Sequence, residues 1–253
     1  MDNILISGAA SGIGAATARL FHARGWRVGL IDVDGKALGA LATELGGVWH
    51  AELDVVDAGA VKAALADFCA LHDGQLRLLF NGAGILRTGA FETIELEQHT
   101  RLLQINLLGV LNLSHVAFAY LKATPGAQVI NMGSASAVYG VPQLASYSAS
   151  KFAVRGLTEA LELEWRAHGI RVGDLMPPFV NTPMVASQAE RPPVMRRLGV
   201  RLEAEQIAEA AWQQAQGPAV HRPVGLQFGL LYALGQITPG WINRAIMAWL
   251  SRP

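Results

Sequence analysis

The chain has 253 residues, 51% of them hydrophobic and 16% charged, which excludes a disordered chain. At this length roughly three quarters of the unfolded surface can be buried, so a core forms without staples. Twenty Lys and Arg balance twenty Asp and Glu, which excludes the basic footprint of a nucleic-acid binder. The single cysteine, Cys69, excludes an intrachain disulfide and a Cys-based zinc site. The reducing cytoplasm is the expected compartment. Met1-Asp2-Asn3 runs straight into Ile4-Leu5-Ile6 with no basic n-region and no long apolar h-region, so no signal peptide is expected. The histidines are scattered, and no metal is expected.

Short apolar runs alternate with longer helical stretches along the chain. Asn3 to Ser7 reads as a strand ending in a glycine-rich turn, and Gly12 to Arg24 as a helix. Val28 to Ile31 is a second strand, with a helix from Lys36 to Leu45; Val48 to Leu53 is a third strand, followed by a helix from Ala58 to Leu71. Leu76 to Phe80 is a fourth strand, and Leu96 to Leu121 carries helical periodicity. Gln128 to Met132, a helix from Tyr147 to Ala167, and Ile170 to Leu175 complete the alternation. Strands of this length separated by helices predict βαβ crossovers and a parallel sheet. The expected fold is a single α/β domain over residues 1–253, doubly wound in the Rossmann manner, with helices on both faces of the sheet.

Two regions break the rhythm. Pro177 to Arg201 carries five prolines and follows a strand's C-terminal end. Its stretch from about 183 to 201 reads as a lid over a site, the alternative being a plain surface loop. The segment from about 223 to 253 is apolar, with no charged residue between Pro223 and Ile242. It is expected to form a buried helix pair or a subunit contact; a peripheral membrane contact through Trp241, Ile246 and Trp249 is the intermediate case.

Ser7-Gly8-Ala9-Ala10-Ser11-Gly12-Ile13-Gly14 joins the first strand to the first helix. Glycines there let the backbone approach a pyrophosphate, and the helix N-terminus points free N–H groups and its positive dipole end at it. Asp32 ends the second strand, placed to accept from adenosine ribose hydroxyls and to repel a 2′-phosphate. No Lys or Arg stands among Ala9, Ala10, Ser11, Val33 and Asp34, so NAD (NADH) is expected over NADP. The plainer role for Asp32 is a turn cap. Asp54, ending the third strand, is placed to meet the adenine edge, and Asn81-Gly82-Ala83-Gly84 to give a close backbone wall.

Tyr147 and Lys151 lie four apart on a helix, one turn from each other. An ammonium there is expected to lower the phenol's pKa, suiting the tyrosine to general acid–base work. Ser134, just past the fifth strand, can hold a carbonyl or alcohol oxygen beside it. Asn106 lies in the run Leu102-Leu103-Gln104-Ile105-Asn106-Leu107-Leu108 and is either a satisfied core amide or the holder of a water that feeds protons to Lys151.

The glycine motif, Asn81-Gly82-Ala83-Gly84, Asn106, Ser134 and Tyr147-Ser148-Ala149-Ser150-Lys151, in this order and spacing, resemble the short-chain dehydrogenase/reductase family up to about Met184. The resemblance implies a seven-stranded parallel sheet with its last strand near Val220 to Val224. It implies a catalytic tetrad of Asn106, Ser134, Tyr147 and Lys151, with Lys151 on the nicotinamide ribose and Val180 and Thr182 on the carboxamide. The residues expected around NAD are Gly8, Ser11, Gly12, Ile13, Gly14, Asp32, Asp54, Val55, Asn81, Ala83, Gly84, Tyr147, Lys151, Pro177, Val180 and Thr182. There are departures: Ser7 stands for the usual Thr, Gly82 for an Asn that ties the sheet, and Pro178 for the Gly after Pro177.

The function expected is NAD(H)-dependent interconversion of a hydrophobic, secondary alcohol and its carbonyl compound. Its substrate walls are Leu86, Ala137, Val141, Leu144, Phe179, Met184 and Val185 beside Ser134. Arg191, Arg196, Arg197 and Arg201 are either solvated or the partners of an anionic substrate tail. The alternatives are a non-catalytic NAD-binding redox sensor, which the complete tetrad disfavours, and a dehydratase or epimerase, which the glycine spacing disfavours. The resemblance further implies a homodimer or homotetramer packed through the Leu96–Leu121 and Tyr147–Ala167 helices, with Ala153, Val154, Leu157, Leu161 and Trp165 as apolar surface.

Overall fold

The computed structural model describes residues 1–252. Seven parallel strands form one sheet: β1 Asn3–Ser7, β2 Arg27–Asp32, β3 His50–Glu52, β4 Leu78–Asn81, β5 Gln128–Met132, β6 Arg171–Met176 and β7 His221–Pro223. Their order is β3-β2-β1-β4-β5-β6-β7. The order reverses between β1 and β4, which pair in parallel through Ile4 to Ser7 and Leu78 to Asn81. At such a reversal the two crossovers leave toward opposite faces, opening a crevice beyond the strand C-termini.

Both faces of the sheet are covered, which explains why its inner strands β1, β4, β5 and β6 are buried nearly throughout rather than alternately. Ile4 and Ile6 of β1 join one core with Phe21 of helix α1 (Gly12–Ala23), Leu38 and Leu41 of α2 (Gly35–Glu44), and buried residues beyond Ala204. Leu5 joins the other core with Leu65 and Phe68 of α3 (Ala58–Ala70) and Leu113 and Ala117 of α4 (Leu96–Lys122). Asp34 and Asp57 start α2 and α3 by accepting from Ala37 N (3.0 Å) and Ala60 N (2.9 Å). Helix α4 is long and apolar enough to cross a bilayer, but Val110, Leu113, Ala117 and Leu121 are buried, so it serves as a layer of the fold. Helix α5 (Ala145–Arg166) lies on the same face, and α6 (Ala204–Gln216) packs beside α1.

A polar ladder crosses the second core. Asn81 Nδ2 donates to Ser114 Oγ (3.1 Å) and Asn131 Oδ1 (2.8 Å), and Asn131 Nδ2 donates to Thr158 Oγ1 (2.9 Å). These bonds join α4, β4, β5 and α5. Gly82 has no room for the tie expected there, because a Cβ would lie 2.6 Å from Ser7 O.

Two expectations need correction. The stretch from Pro177 to Arg201 is not plain loop: Val180–Asn181 pairs with Leu202–Glu203, and helical turns occupy Pro183–Ala186 and Pro193–Leu198. Val194 and Met195 are buried there. The C-terminal segment does form two helices, α7 (Leu226–Ile237) and α8 (Gly240–Leu250), but neither contains a buried residue. They roof a cavity with one face instead of packing on the sheet with all of it.

Phe21 is fully buried, edge-on to Trp26 and Trp212 at 5.1 and 5.2 Å. Phe21→Ala should therefore cost about 3–5 kcal/mol in urea unfolding. A loss well below that would mean this cluster is not a close-packed part of the core.

Candidate active site

The crevice beyond the strand ends is one continuous cavity of about 880 Å³, running from Asp32 at the end of β2 to Leu250 at the end of α8. Its floor is the glycine loop. Gly8 has φ +71, and a Cβ there would stand 2.7 Å from Ala83 N; only glycine allows that close approach. A Cβ on Gly14 would overlap the Gly8 carbonyl. Ser11 precedes α1 without a side-chain capping bond, which leaves the N–H groups of the first turn free. Gly8, Ser11, Gly12, Ile13 and Gly14 all line the cavity, as do Val55, Ala83, Gly84, Pro177, Val180 and Thr182.

Asp32 does more than one job. Its Oδ2 accepts from Ala10 N (2.9 Å) and its Oδ1 from Asp34 N (3.1 Å), so it braces both the glycine loop and its own turn. It also lines the cavity, and a carboxylate has lone pairs left for two more donors. Asp54 lines the cavity too. It accepts from Val56 N (3.0 Å) and from the Arg101 guanidinium. Burial works against its charge, but these two partners hold the carboxyl below its ordinary range. Arg101 carried no signal in the sequence that tied it to this place. The glycine cradle, the open helix terminus and a carboxylate at the end of β2 fit a nicotinamide dinucleotide.

Tyr147, Ser134 and Lys151 meet in the same cavity. Lys151 Nζ lies 5.5 Å from the Tyr147 ring centroid and donates to Met132 O at 2.7 Å. Burial pushes the Tyr147 hydroxyl up from its ordinary value, and the Ser134 hydroxyl partly opposes this; the lowering expected of the ammonium does not figure among these causes. Burial likewise pushes Lys151 down, to about 8, against the opposing charge of Asp174. Ser134 is itself positioned by Ser136, whose N–H (3.2 Å) and hydroxyl (3.0 Å) both donate to Ser134 Oγ. Ser136 was not singled out in the sequence, although its place two residues on is that of a local turn partner.

Three expected site residues stand off the cavity. Asn81 is spent on the polar ladder. Ala137 is fully buried behind a helical turn, and Ser136 and Val138 line the wall instead. Asn106 is a satisfied amide: Oδ1 accepts from Ile85 N (2.8 Å), and Nδ2 donates to Ile85 O (3.0 Å) and Ser150 Oγ (3.2 Å). It sits in a π turn, Gln104–Leu108, and its side chain clamps α4 to the wall after Gly84.

Behind Lys151 lies a charged cluster that the sequence did not reveal. Tyr147, Lys151, Arg155 and Glu159 recur every fourth residue along α5. Glu159 Oε1 meets His221 Nε2 at 3.0 Å, and His221 Nδ1 meets both oxygens of the fully buried Asp174 at 3.0 Å. Arg155 pairs with Glu159 at 2.9 Å. The bond to Asp174 raises the His221 pKa against its own burial, and burial raises that of Asp174 against His221. An Asp within the apolar run Val172-Gly173-Asp174-Leu175-Met176 was the available signal, since a buried charge needs a partner.

Leu86, Val141, Leu144, Phe179, Met184 and Val185 line the far end as expected. Phe228, Leu231, Tyr232, Ile242 and Met247 close it from α7 and α8. Those five were missed because the segment read as core. Arg191, Arg196, Arg197 and Arg201 are exposed outside the cavity, and Arg197 donates to Trp249 O. Among the described residues there is no cluster of side chains set to hold a metal.

The strand order and the glycine cradle define a doubly wound α/β protein of the dinucleotide-binding kind. The sequence pattern of the short chain dehydrogenases matches residues 2–193, and the chain belongs to that family. It is 36% identical over 182 residues to a D-threitol dehydrogenase of Mycolicibacterium smegmatis, covering 70% of each chain. It is 37% identical over 218 residues to a galactitol 2-dehydrogenase (L-tagatose-forming) of Cereibacter sphaeroides, covering 81% of this chain and 84% of the relative. Its fold superposes on the 3-ketoacyl-(acyl-carrier-protein) reductase of Brucella melitensis complexed with NADH, with TM-score 0.79 and 27% identity over 88% of this chain and 96% of that one.

His221→Ala strands the Asp174 charge, and the loss should be about 3–5 kcal/mol in urea unfolding. The sign with pH follows from the raised His221 pKa. Its ion-pair contribution is complete below about pH 6.5 and is lost as pH rises through the higher folded value. The gap between the native protein and the variant should therefore narrow in alkaline buffer. A gap that widens there would contradict the pairing.

Proposed function

We propose that the protein is an NAD(H)-dependent oxidoreductase that interconverts a hydrophobic, secondary alcohol and its carbonyl compound, with Tyr147 as general acid and base. The observation that carries this reading is the convergence of Tyr147, Ser134 and Lys151 on the cavity whose other end is the glycine loop. Relatives named for oxidising D-threitol and galactitol support the reaction class. The NADH-bound relative supports the cofactor. The apolar wall of Leu86, Val141, Leu144, Phe179 and Val185 favours a hydrophobic substrate over a sugar alcohol.

In this reading Gly8, Ser11, Gly12, Ile13 and Gly14 take the pyrophosphate, and Asp32 accepts from the adenosine ribose. Lys151 donates to the nicotinamide ribose, and Val180 and Thr182 face the carboxamide. The bound cofactor supplies the two-electron acceptor for the carbinol carbon. The Tyr147 hydroxyl, its pKa raised by burial, suits donation to the carbonyl oxygen in the reductive direction. In the oxidative direction Tyr147 Oη takes the hydroxyl proton, and in both Ser134 Oγ holds the same oxygen and steadies its partial charge. Lys151, brought by burial to about 8, is tuned to pass protons near neutral pH. Asn106 supports this from the π turn, by fixing the wall at Ile85.

The reading includes a homodimer or homotetramer working in the cytoplasm. Leu103, Leu108 and Leu111 of α4 and Phe152 and Leu163 of α5 are exposed apolar residues suited to such a contact. Val154, expected there, is fully buried in the chain's own core.

Tyr147→Phe should lower turnover by about 10²- to 10⁴-fold while NAD affinity, followed by fluorescence titration, survives. Retained turnover on a panel of alcohols would remove Tyr147 from the chemistry. Asp32→Ala should shrink the NAD-over-NADP preference in kcat/KM by about tenfold or more, since like charges at close range cost several kcal/mol. A native protein that already prefers NADP refutes that role.

A further inference from the structure

The hairpin of α7 and α8 has two apolar faces. One lines the cavity through Leu231, Tyr232, Ile242 and Met247. The other carries Leu226, Leu230, Ile237, Trp241 and Trp249, none of which touches the cavity. Leu226 is 96% exposed, Ile237 80% and Trp241 72%. Five large exposed apolar side chains on one helical hairpin mark an interaction surface rather than ordinary scatter.

Charge says what covers it. After Glu209 the sequence contains no Asp or Glu, while Arg244 and Arg252 lie on and just after α8. Arg196 and Arg197 close the neighbouring helical turn. The guanidinium of Arg197 lies 5.4 Å over the Trp249 ring, so a basic edge is fastened to the apolar face. A second copy in an isologous contact would set this arginine-edged hairpin, which has no carboxylate side chain of its own, against itself. An anionic lipid surface supplies both the missing charge and the apolar phase. At 12 residues, α7 is about 18 Å long, short of the roughly 30 Å hydrocarbon core, so it lies in the interface plane. Trp241 and Trp249, near the two ends of α8, suit the headgroup boundary.

We propose that the outer face of the α7–α8 hairpin docks on an anionic lipid bilayer, so that a lipophilic alcohol or ketone reaches the cavity from the membrane. Docking stands on the surface alone; the route for the substrate rests on the alcohol–carbonyl reading above. The full chain should sediment with phosphatidylcholine/phosphatidylglycerol vesicles and only weakly with phosphatidylcholine vesicles. Leu230→Glu with Trp241→Glu should weaken that binding by about tenfold or more, given the apolar burial lost. Arg244→Gln should weaken it roughly fivefold, as expected for one arginine at a charged surface. All three substitutions should leave turnover of a short, water-soluble alcohol unchanged. Absence of sedimentation with either vesicle overturns the proposal. So does a mass by light scattering that halves in the Leu230/Trp241 variant, which would assign the face to a second copy. Vesicle binding with no alcohol or ketone turned over would uphold docking and defeat the oxidoreductase reading instead.

Discussion

A lysine ammonium held almost entirely out of water sets the terms for the rest of this molecule. Lys151 is only 6% exposed, and an isolated charge in such a place would be given up by deprotonation. What holds it is a carbonyl at the end of β5, Met132 O, and the charge of Asp174 on β6. Asp174 in turn needs His221 on β7, which needs Glu159 on the same helix as Lys151. The circuit closes on α5, so that helix cannot slide along the sheet without unpairing several buried charges at once. Apolar packing supplies most of the energy that seats α5, and the polar pairs select its register.

The same logic separates what was legible in the sequence from what was not. The glycine loop was readable because its chemistry is local: Gly8 and Gly14 answer to atoms of the same turn and of the adjoining strand end. The inner strands β1, β4, β5 and β6 were readable because they are buried on both faces, whereas the edge strands His50–Glu52 and His221–Pro223 carry charged or polar residues. The Asp174–His221 pair was not, because it joins residues 47 apart that become neighbours only when β6 and β7 align. Asn81 misled for a related reason. Its position at a strand end suggested the cavity, but its side-chain NH2 is turned sideways onto Asn131 and Ser114. Tyr147 shows the limit of spacing arguments. A fourth-residue ammonium predicts a more acidic phenol, yet the direction found is upward, with burial as its cause. The spacing says nothing of enclosure, nor that the ammonium lies 5.5 Å from the ring centroid and is engaged by a carbonyl.

The apolar C-terminal segment failed to announce its place because composition cannot distinguish a helix sunk in a core from one stretched over a cavity. Both demand apolar side chains, and only the second leaves half of them outside. The division has a structural consequence. In the proposed reading the reacting groups rise from strand ends and from α5, elements tied by the polar ladder and the charged cluster. The cavity's apolar wall is shared: Leu86, Val141, Leu144, Phe179 and Val185 form one side, and α7 and α8, held by one face and by Arg197 at Trp249, form the other. The family's pattern ends at residue 193, before that hairpin begins. Part of the wall thus lies outside the part of the chain that carries the pattern. A roof with no buried residue of its own can change its side chains while the ammonium, the phenol and the hydroxyl beneath it stay where the sheet holds them.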